Sequence, residues 1–241
     1  NIKFFWANCR SLILVCSTSI VYWLLQNTAI CCFRCSTLPK EYPLVCQDQN
    51  QSISVEEIKA MGNYAAFNVT YYCGDNPQRV AKNKAWLCNE LGVNENCLWL
   101  PRQTHTANVL EIDEAFLNKE EEEQTQCLQE IDALITTLPH QCISISTADC
   151  VPILLYDEKH HAIAAIHAGW RGTVQRISQV CLEKMANAFG TKANDCKALI
   201  GPSISLDAFE VGEEVATEFI QANFPSNIIS RSYPNKPHID L

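Results

Sequence analysis

Cys150 and His167 flank an apolar, polar, apolar pattern that reads as two strands joined by a short turn. Residues 151–156 are apolar, Asp157-Glu158-Lys159-His160 is polar, and residues 162–166 are apolar again. A hairpin centred between Glu158 and Lys159 sets Cys150 opposite His167. Cross-strand partners on one face have Cβ atoms about 4.5–5.5 Å apart, close enough for a thiolate and an imidazole to hold one metal ion. A bulge at Pro152 would shift the register by one and turn Cys150 to the other face. His105, in Arg102-Gln103-Thr104-His105-Thr106 just past the apolar residues 98–100, is the candidate third ligand, although spacing alone does not bring it near. Two histidines and a cysteine leave a tetrahedral zinc with its fourth position open for water, the arrangement of a catalytic site. The same spacing also fits a core in which Cys150 is a small buried hydrophobe and both histidines are hydrogen-bonded core residues.

After His167 comes Ala168-Gly169-Trp170-Arg171-Gly172-Thr173, leading into a helix. Gly169 and Gly172 let the backbone approach a ligand, a helix N-terminus offers free N–H groups, and Arg171 adds a forked cation, so the segment reads as an anion pocket. A plain strand-to-helix turn with an exposed arginine is the competing reading. Asp149, next to Cys150, is positioned to orient a ligand histidine, to carry a proton or to cap a turn. A metal-free alternative uses Cys150 as nucleophile with His167 or His105 as base. Phosphate-binding, dinucleotide-binding and serine-hydrolase signatures are absent. Asn68-Val69-Thr70 has the pattern of a glycosylation sequon, which matters only on the secretory route.

These residues need elements to carry them. Asp75-Asn76-Pro77 offers a helix cap and a first-turn proline, Val80, Leu87, Cys88 and Leu91 recur at helical spacing, and Gly92 ends the run. Residues 143–146 alternate as a strand. Residues 173–189 form one helix with Val174, Ile177, Cys181, Met185 and Ala188 on its inner stripe, closed by Gly190. Residues 198–200 read as a short strand, and Val211, Val215 and Phe219 as part of a further helix. The acidic run 119–123 reads as a solvated turn or helix start. Strands mixed with helices throughout predict an α/β or α+β sandwich.

Composition narrows the function classes. The 241 residues are 47% hydrophobic and 19% charged, as in ordinary globular proteins. Eighteen basic against 27 acidic residues give a net charge of −9, which opposes binding to nucleic acid in the absence of a basic stripe. Six of the 14 cysteines, Cys9, Cys16, Cys31, Cys32, Cys35 and Cys46, crowd the first 46 residues. Their irregular spacing in a chain this long does not suggest a disulfide framework. Residues 11–33 carry no charge and are long enough to cross a bilayer, but Ser, Thr, Gln26 and Asn27 dilute them. They are expected to be an anchor, buried strands or an aberrant chain start, and membrane contact is expected only in the first case. Cys32-Phe33-Arg34-Cys35 has the spacing of half a zinc site without a second pair. After Pro39 the composition is that of a cytoplasmic α/β protein, so the expected division is a hydrophobic, cysteine-rich segment 1–45 and one catalytic domain 46–241.

Several motifs in order then resemble a known family. Gln103-Thr104-His105, Thr147-Ala148-Asp149-Cys150-Val151-Pro152, the segment from His167 through Arg171 to Thr173, and Ile200-Gly201-Pro202-Ser203-Ile204 are similar to the successive signatures of the YfiH-like, laccase-domain proteins, which carry the names polyphenol oxidase and purine nucleoside phosphorylase. Tyr64 to Asn68 and Gly74-Asp75 resemble the family's earlier motifs. The resemblance implies a four-layer α/β/β/α sandwich with mixed sheets, and zinc or copper at His105, Cys150 and His167. It also implies phosphorolysis of adenosine, inosine and methylthioadenosine with inorganic phosphate, and adenosine deamination as a second activity. Cys150, His167 and Asp149 are then the catalytic candidates, and Arg171, Gly169 and Gly172 the substrate-binding ones. Alternatives within reach of the same residues are a cysteine-type hydrolase editing peptidoglycan precursors, a copper-dependent polyphenol oxidase and an inactive binding relic. The family's opening Phe-x-Thr-Arg-x-Gly-Gly-x-Ser segment has no clean match here, and its pattern continues past Asp240-Leu241 to a Cys-Thr and paired arginines. The domain is therefore expected to lack its C-terminal end, with phosphate binding weakened most.

Overall fold

A computed structural model describes residues 11–16, 31–34, 68–147, 149–201, 203–233 and 236–241. The chain is a mixed α/β domain built on two mixed sheets. In the first, β1 (Ser11–Cys16) lies antiparallel to both β2 (Cys31–Arg34) and β6 (Cys142–Thr147), and β6 takes β3 (Leu98–Trp99) in parallel on its other edge. In the second, the strand order is β4 (Val109–Glu111), β5 (Ala133–Thr136), β8 (Ala162–Ala168), β7 (Val151–Asp157) and β9 (Cys196–Ile200); β4 and β5 are parallel and the other neighbours antiparallel. A small ribbon pairs β10 (Ile229–Ser230) with β11 (His238–Ile239). The segment expected as an anchor or as strands thus contains two strands, and the rest of it, with Cys35 and residues 64–67 of the Tyr64 motif, lies outside the described residues. Among the described residues no helix is long and apolar enough to cross a membrane.

The period-two alternation of β5, β7 and β8 supplies two apolar faces. Leu134, Leu154, Tyr156, Ile163 and Ala165 point toward β6, where they pack with Ile143 and Ile145. Ala133, Ile135, Leu155, Ala164 and Ile166 point the other way, onto Ile177, Cys181 and Met185 of helix α5 (Ile177–Phe189). Burying each such aliphatic chain is worth about 1.5–3 kcal/mol, so this sandwich rather than any loop fixes where the strand ends lie. On the far side of β6, Cys142 and Leu98 pack on Leu87 and Cys88 of α1 (Pro77–Leu91). That helix begins and ends as its residues predict: Asn76 accepts the N–H groups of Gln78 and Arg79, Pro77 opens the first turn, and Gly92 closes it at φ +64°. The acidic run contributes α3 (Glu121–Cys127), after the short α2 (Glu114–Leu117), and α6 (Glu213–Gln221) buries Val215, Ala216 and Phe219.

Two local expectations are corrected. The β7–β8 turn is residues 158–161, centred one residue later than expected, because Asp157 still pairs with Ala162 and its carboxylate accepts the N–H groups of Lys159 and His160 at 3.0 and 3.2 Å. His167 therefore faces Pro152 rather than Cys150. The slip is two residues and not one, so every side chain keeps its face, and no bulge intervenes at Pro152. The single helix expected over 173–189 is two, α4 (Trp170–Val174) and α5 (Ile177–Phe189). Arg176 separates them at φ +61°, held by its guanidinium bond to the Ala222 carbonyl at 2.8 Å and its stacking 3.8 Å over Phe224. Of the sequon, Asn68 Nδ2 donates to the Thr70 carbonyl, Cys73 Sγ and the buried Asp75 carboxylate.

Candidate metal centre

β7 and β8 end side by side at the edge of the sheet-to-sheet core, and their ends carry the chemistry. His167 is the penultimate residue of β8 and is buried; Cys150 immediately precedes β7. Cys150 lies two positions before Pro152, and in extended chain that returns its side chain to the face on which Pro152 meets His167. His105 arrives from a loop of distant sequence, at φ +64°, a left-handed conformation that a β-carbon disfavours and that surrounding bonds must impose.

Two side chains impose it. Gln103 spans to the β6 backbone, donating to the Ser146 carbonyl and accepting the Ser146 N–H, both at 2.7 Å. Asp132, fully buried just before β5, accepts the N–H groups of Thr104, His105 and Thr106 at 3.3, 3.0 and 2.7 Å, and the Thr106 hydroxyl at 2.7 Å. Asp132 also bonds His167 Nδ1 at 2.7 Å, while its carbonyl accepts the His167 N–H at 2.8 Å. One carboxylate therefore fastens the loop of His105 to the strand of His167, and leaves the Nε2 edge of His167 turned to Cys150.

The outcome is a cluster in which one donor atom each from His105, Cys150 and His167 lie within 4.8 Å of one another. Cys150 Sγ stands 3.7 Å from His105 Nε2, and the two imidazoles meet edge to face with centroids 4.9 Å apart. Ligand bonds of about 2.1 Å from nitrogen and 2.3 Å from sulfur at a tetrahedral angle give a sulfur–nitrogen separation of about 3.6 Å, so the group has the donors and the spacing for a borderline-soft ion such as zinc or copper. The electrostatics agree with a tightly coupled group. Burial alone would lower the His167 pKa, but the bonds with Asp132 and Cys150 push it up to about 9. Burial likewise opposes ionisation of Asp132, yet its bonds with His167 and Thr106 hold it below the ordinary carboxylate range. His105 is lowered, first by burial and then by the neighbouring His167.

The remaining candidates fall around this cluster. The open sides of both glycines face protein. A β-carbon on Gly169 would stand 2.7 Å from His105 Cδ2 and 2.9 Å from Cys150 Sγ, and one on Gly172 3.1 Å from the Thr106 carbonyl. Their smallness therefore makes room for the cluster and for the close approach of α4, whereas the sequence suggested room for a ligand. Arg171 is exposed, stacks 4.3 Å over the Trp170 ring, and its charge reaches His105. The helix behind it is only the five-residue α4. Asp149 is exposed, and its carbonyl accepts the Ile204 N–H at 2.9 Å. The carboxylate that orients a histidine is Asp132, which the sequence reading missed; its one available signal was an aspartate set in the otherwise apolar run 131–135.

A sheet-based α/β domain carrying a two-histidine, one-cysteine cluster at its strand ends defines the class of protein. The chain belongs to the family described as multi-copper polyphenol oxidoreductase laccase, whose model matches residues 56–241. Among curated relatives, a purine nucleoside phosphorylase of Bacteroides thetaiotaomicron is 48% identical over 182 residues, covering 75% of this chain and 67% of that protein. Adenosine deaminase RL5, from an unknown prokaryotic organism, is 40% identical over 187 residues, covering 77% and 71%. Among solved structures, YlmD of Geobacillus stearothermophilus superposes with a TM-score of 0.65 at 21% identity, over 73% of this chain and 66% of that one, which shows the shared fold. The matches thus span about two-thirds of the relatives' length.

Proposed function

We propose that this chain is a metal-dependent purine nucleoside phosphorylase acting on adenosine, inosine and methylthioadenosine, with adenosine deamination as a second activity. The observation that carries the reading is the convergence of His105, Cys150 and His167 within 4.8 Å beside Arg171, in a chain similar to proteins named for both activities. In phosphorolysis a phosphate oxygen bonds to the anomeric carbon, the glycosidic bond breaks, and the purine leaves with the electron pair and takes up a proton. Arg171, with its five donors in a rigid fork, is the proposed holder of phosphate, and the stack on Trp170 limits how the guanidinium turns. Asp149, exposed beside Cys150, is the proposed proton carrier. His105, Cys150 and His167 would hold the ion, which would supply Lewis acidity there. Among the described residues these donors form one three-residue cluster, which supports a single ion, zinc before copper, rather than an oxidase with several coppers.

The test is incubation of the purified chain with adenosine, with and without phosphate. Adenine and ribose 1-phosphate appearing only with phosphate, and inosine in either case, support the proposal; nucleoside binding without any product favours the inactive relic. The 3.7 Å approach of Cys150 Sγ to His105 Nε2 also suits a thiol–imidazole pair, the geometry of a cysteine hydrolase acting on peptidoglycan precursors. Metal analysis and alkylation separate the two. A bound ion shields Cys150 from iodoacetamide, and a metal-free hydrolase is alkylated there rapidly.

A further inference from the structure

The Asp132 carboxylate accepts bonds from both elements that carry the histidines. Its Oδ1 takes the His105 N–H and His167 Nδ1; its Oδ2 takes the Thr104 and Thr106 N–H groups and the Thr106 hydroxyl. Extending the β5–β8 ladder beyond Ala133↔Ile166 sets Asp132 directly opposite His167. The carboxylate is fully buried and spends both oxygens on the two elements that carry the histidines. We propose that Asp132 is the positioning residue of the metal centre: it fixes His167 with Nδ1 held and Nε2 free to ligate, and holds the 104–106 turn so that His105 meets the same ion. This rests on the metal reading given above.

The chemistry makes the requirement strict. An asparagine at 132 keeps the shape and the backbone ladder but has a single acceptor oxygen. With that oxygen at the Oδ1 position, its amide N–H groups face the N–H groups of Thr104 and Thr106. Turned over, they face the His105 N–H and His167 Nδ1. Either orientation sets donor against donor on at least one of the two histidine-bearing elements. Thr106→Val is a milder perturbation: it removes the hydroxyl, with its bonds to Oδ2 and the Glu130 carbonyl and its acceptance of the Asn108 N–H, and leaves the N–H groups of residues 104–106 on the carboxylate in place.

The experiment is titration of the full metal-free chain with cobalt(II), read by thiolate-to-cobalt absorption, and with zinc by competition against a chelator. Thermal unfolding of the metal-free proteins is measured in parallel. Asp132→Asn is expected to lower affinity 10- to 100-fold and, at saturating cobalt, to alter the ligand-field bands; Thr106→Val is expected to lower affinity about fivefold, the effect of the one lost bond that reaches the Asp132 carboxylate. A merely structural role would lower the unfolding temperature while leaving the saturated cobalt spectrum and the affinity of the folded fraction unchanged, and that result overturns the proposal. Should Asp132→Asn not fold, Thr106→Val decides alone: a weakened site supports the proposal and an unchanged one overturns it. Wild-type chain that takes up neither cobalt nor zinc sinks the metal reading and this assignment together, whereas wild-type uptake matched by both variants sinks only the assignment.

Discussion

Replacing Gly169 by alanine tests the architecture of the cluster at one atom. The backbone there has φ −71° and ψ 168°, which any residue adopts, so the substitution brings no conformational strain. By restricting the unfolded chain it would by itself stabilise the protein by about 0.4–1 kcal/mol. Against this, the new methyl carbon would lie 2.7 Å from His105 Cδ2 and 2.9 Å from Cys150 Sγ. Carbon contacts settle at about 3.5–4.0 Å, so the His105 ring must retreat by about 0.8 Å or more and the sulfur must move as well. Metal–ligand distances tolerate about 0.2 Å, so two of three ligands leave the bonding range. Overpacking of this kind costs about 1–3 kcal/mol, leaving the folded state only slightly weakened. The expected result is a folded Gly169→Ala protein, with its unfolding midpoint within a few degrees of wild type, whose zinc affinity is reduced at least about 100-fold. Isothermal titration of metal-free protein with zinc, beside a thermal melt, measures both. A variant that binds zinc as tightly as wild type would refute the claim that Gly169 is small in order to admit the two ligands.

Further outcomes follow from other contacts. Arg171→Ala is expected to raise the KM for phosphate about 10- to 100-fold with a much smaller change for adenosine, measured by initial rates at varied phosphate. Asp157, buried in the β7–β8 turn, has its pKa lowered: burial alone would raise it, but the bonds it accepts, including His160 Nδ1 at 2.6 Å, outweigh burial. A carboxylate lowered on folding contributes stability above its unfolded pKa and loses it as pH falls through the folded one. Asp157→Asn is therefore expected to cost about 1–3 kcal/mol at pH 7 and progressively less below about pH 4, in urea melts across that range. Arg176→Ala retains the left-handed backbone while losing the Ala222 bond and the Phe224 stack, with an expected cost of about 2 kcal/mol in the same assay.

Much of the fold was legible because it is local. Cap, periodicity and stop for α1 sit within a few residues of one another, and β7, β8 and the stripe of α5 follow from apolar period alone. The break at Arg176 was not legible, because its cause is a partner at Ala222 in a later helix end. The turn's centre was missed for a smaller reason: Asp157 stays in the strand while its side chain caps the turn, which composition does not distinguish from a turn residue. Gly169 and Gly172 were noticed as small, but what fills the space they leave is visible only in three dimensions.

For the site, the division is sharper. Hairpin pairing is set by short chain connections, so the sequence by itself determined that Cys150 and His167 share a face at the end of two strands, and a register slip of two residues did not disturb it. His105 was a candidate by residue type whose place at the site rested mainly on the resemblance, and Asp132 did not enter. Both reach the centre by pairings between residues far apart in the chain, β5 against β8 and the 103–106 loop against β6, whose choice depends on which apolar faces bury one another best. Only the tertiary structure decided that one buried carboxylate would bind both histidine-bearing elements, because long-range packing energy is not written in the spacing of any single segment.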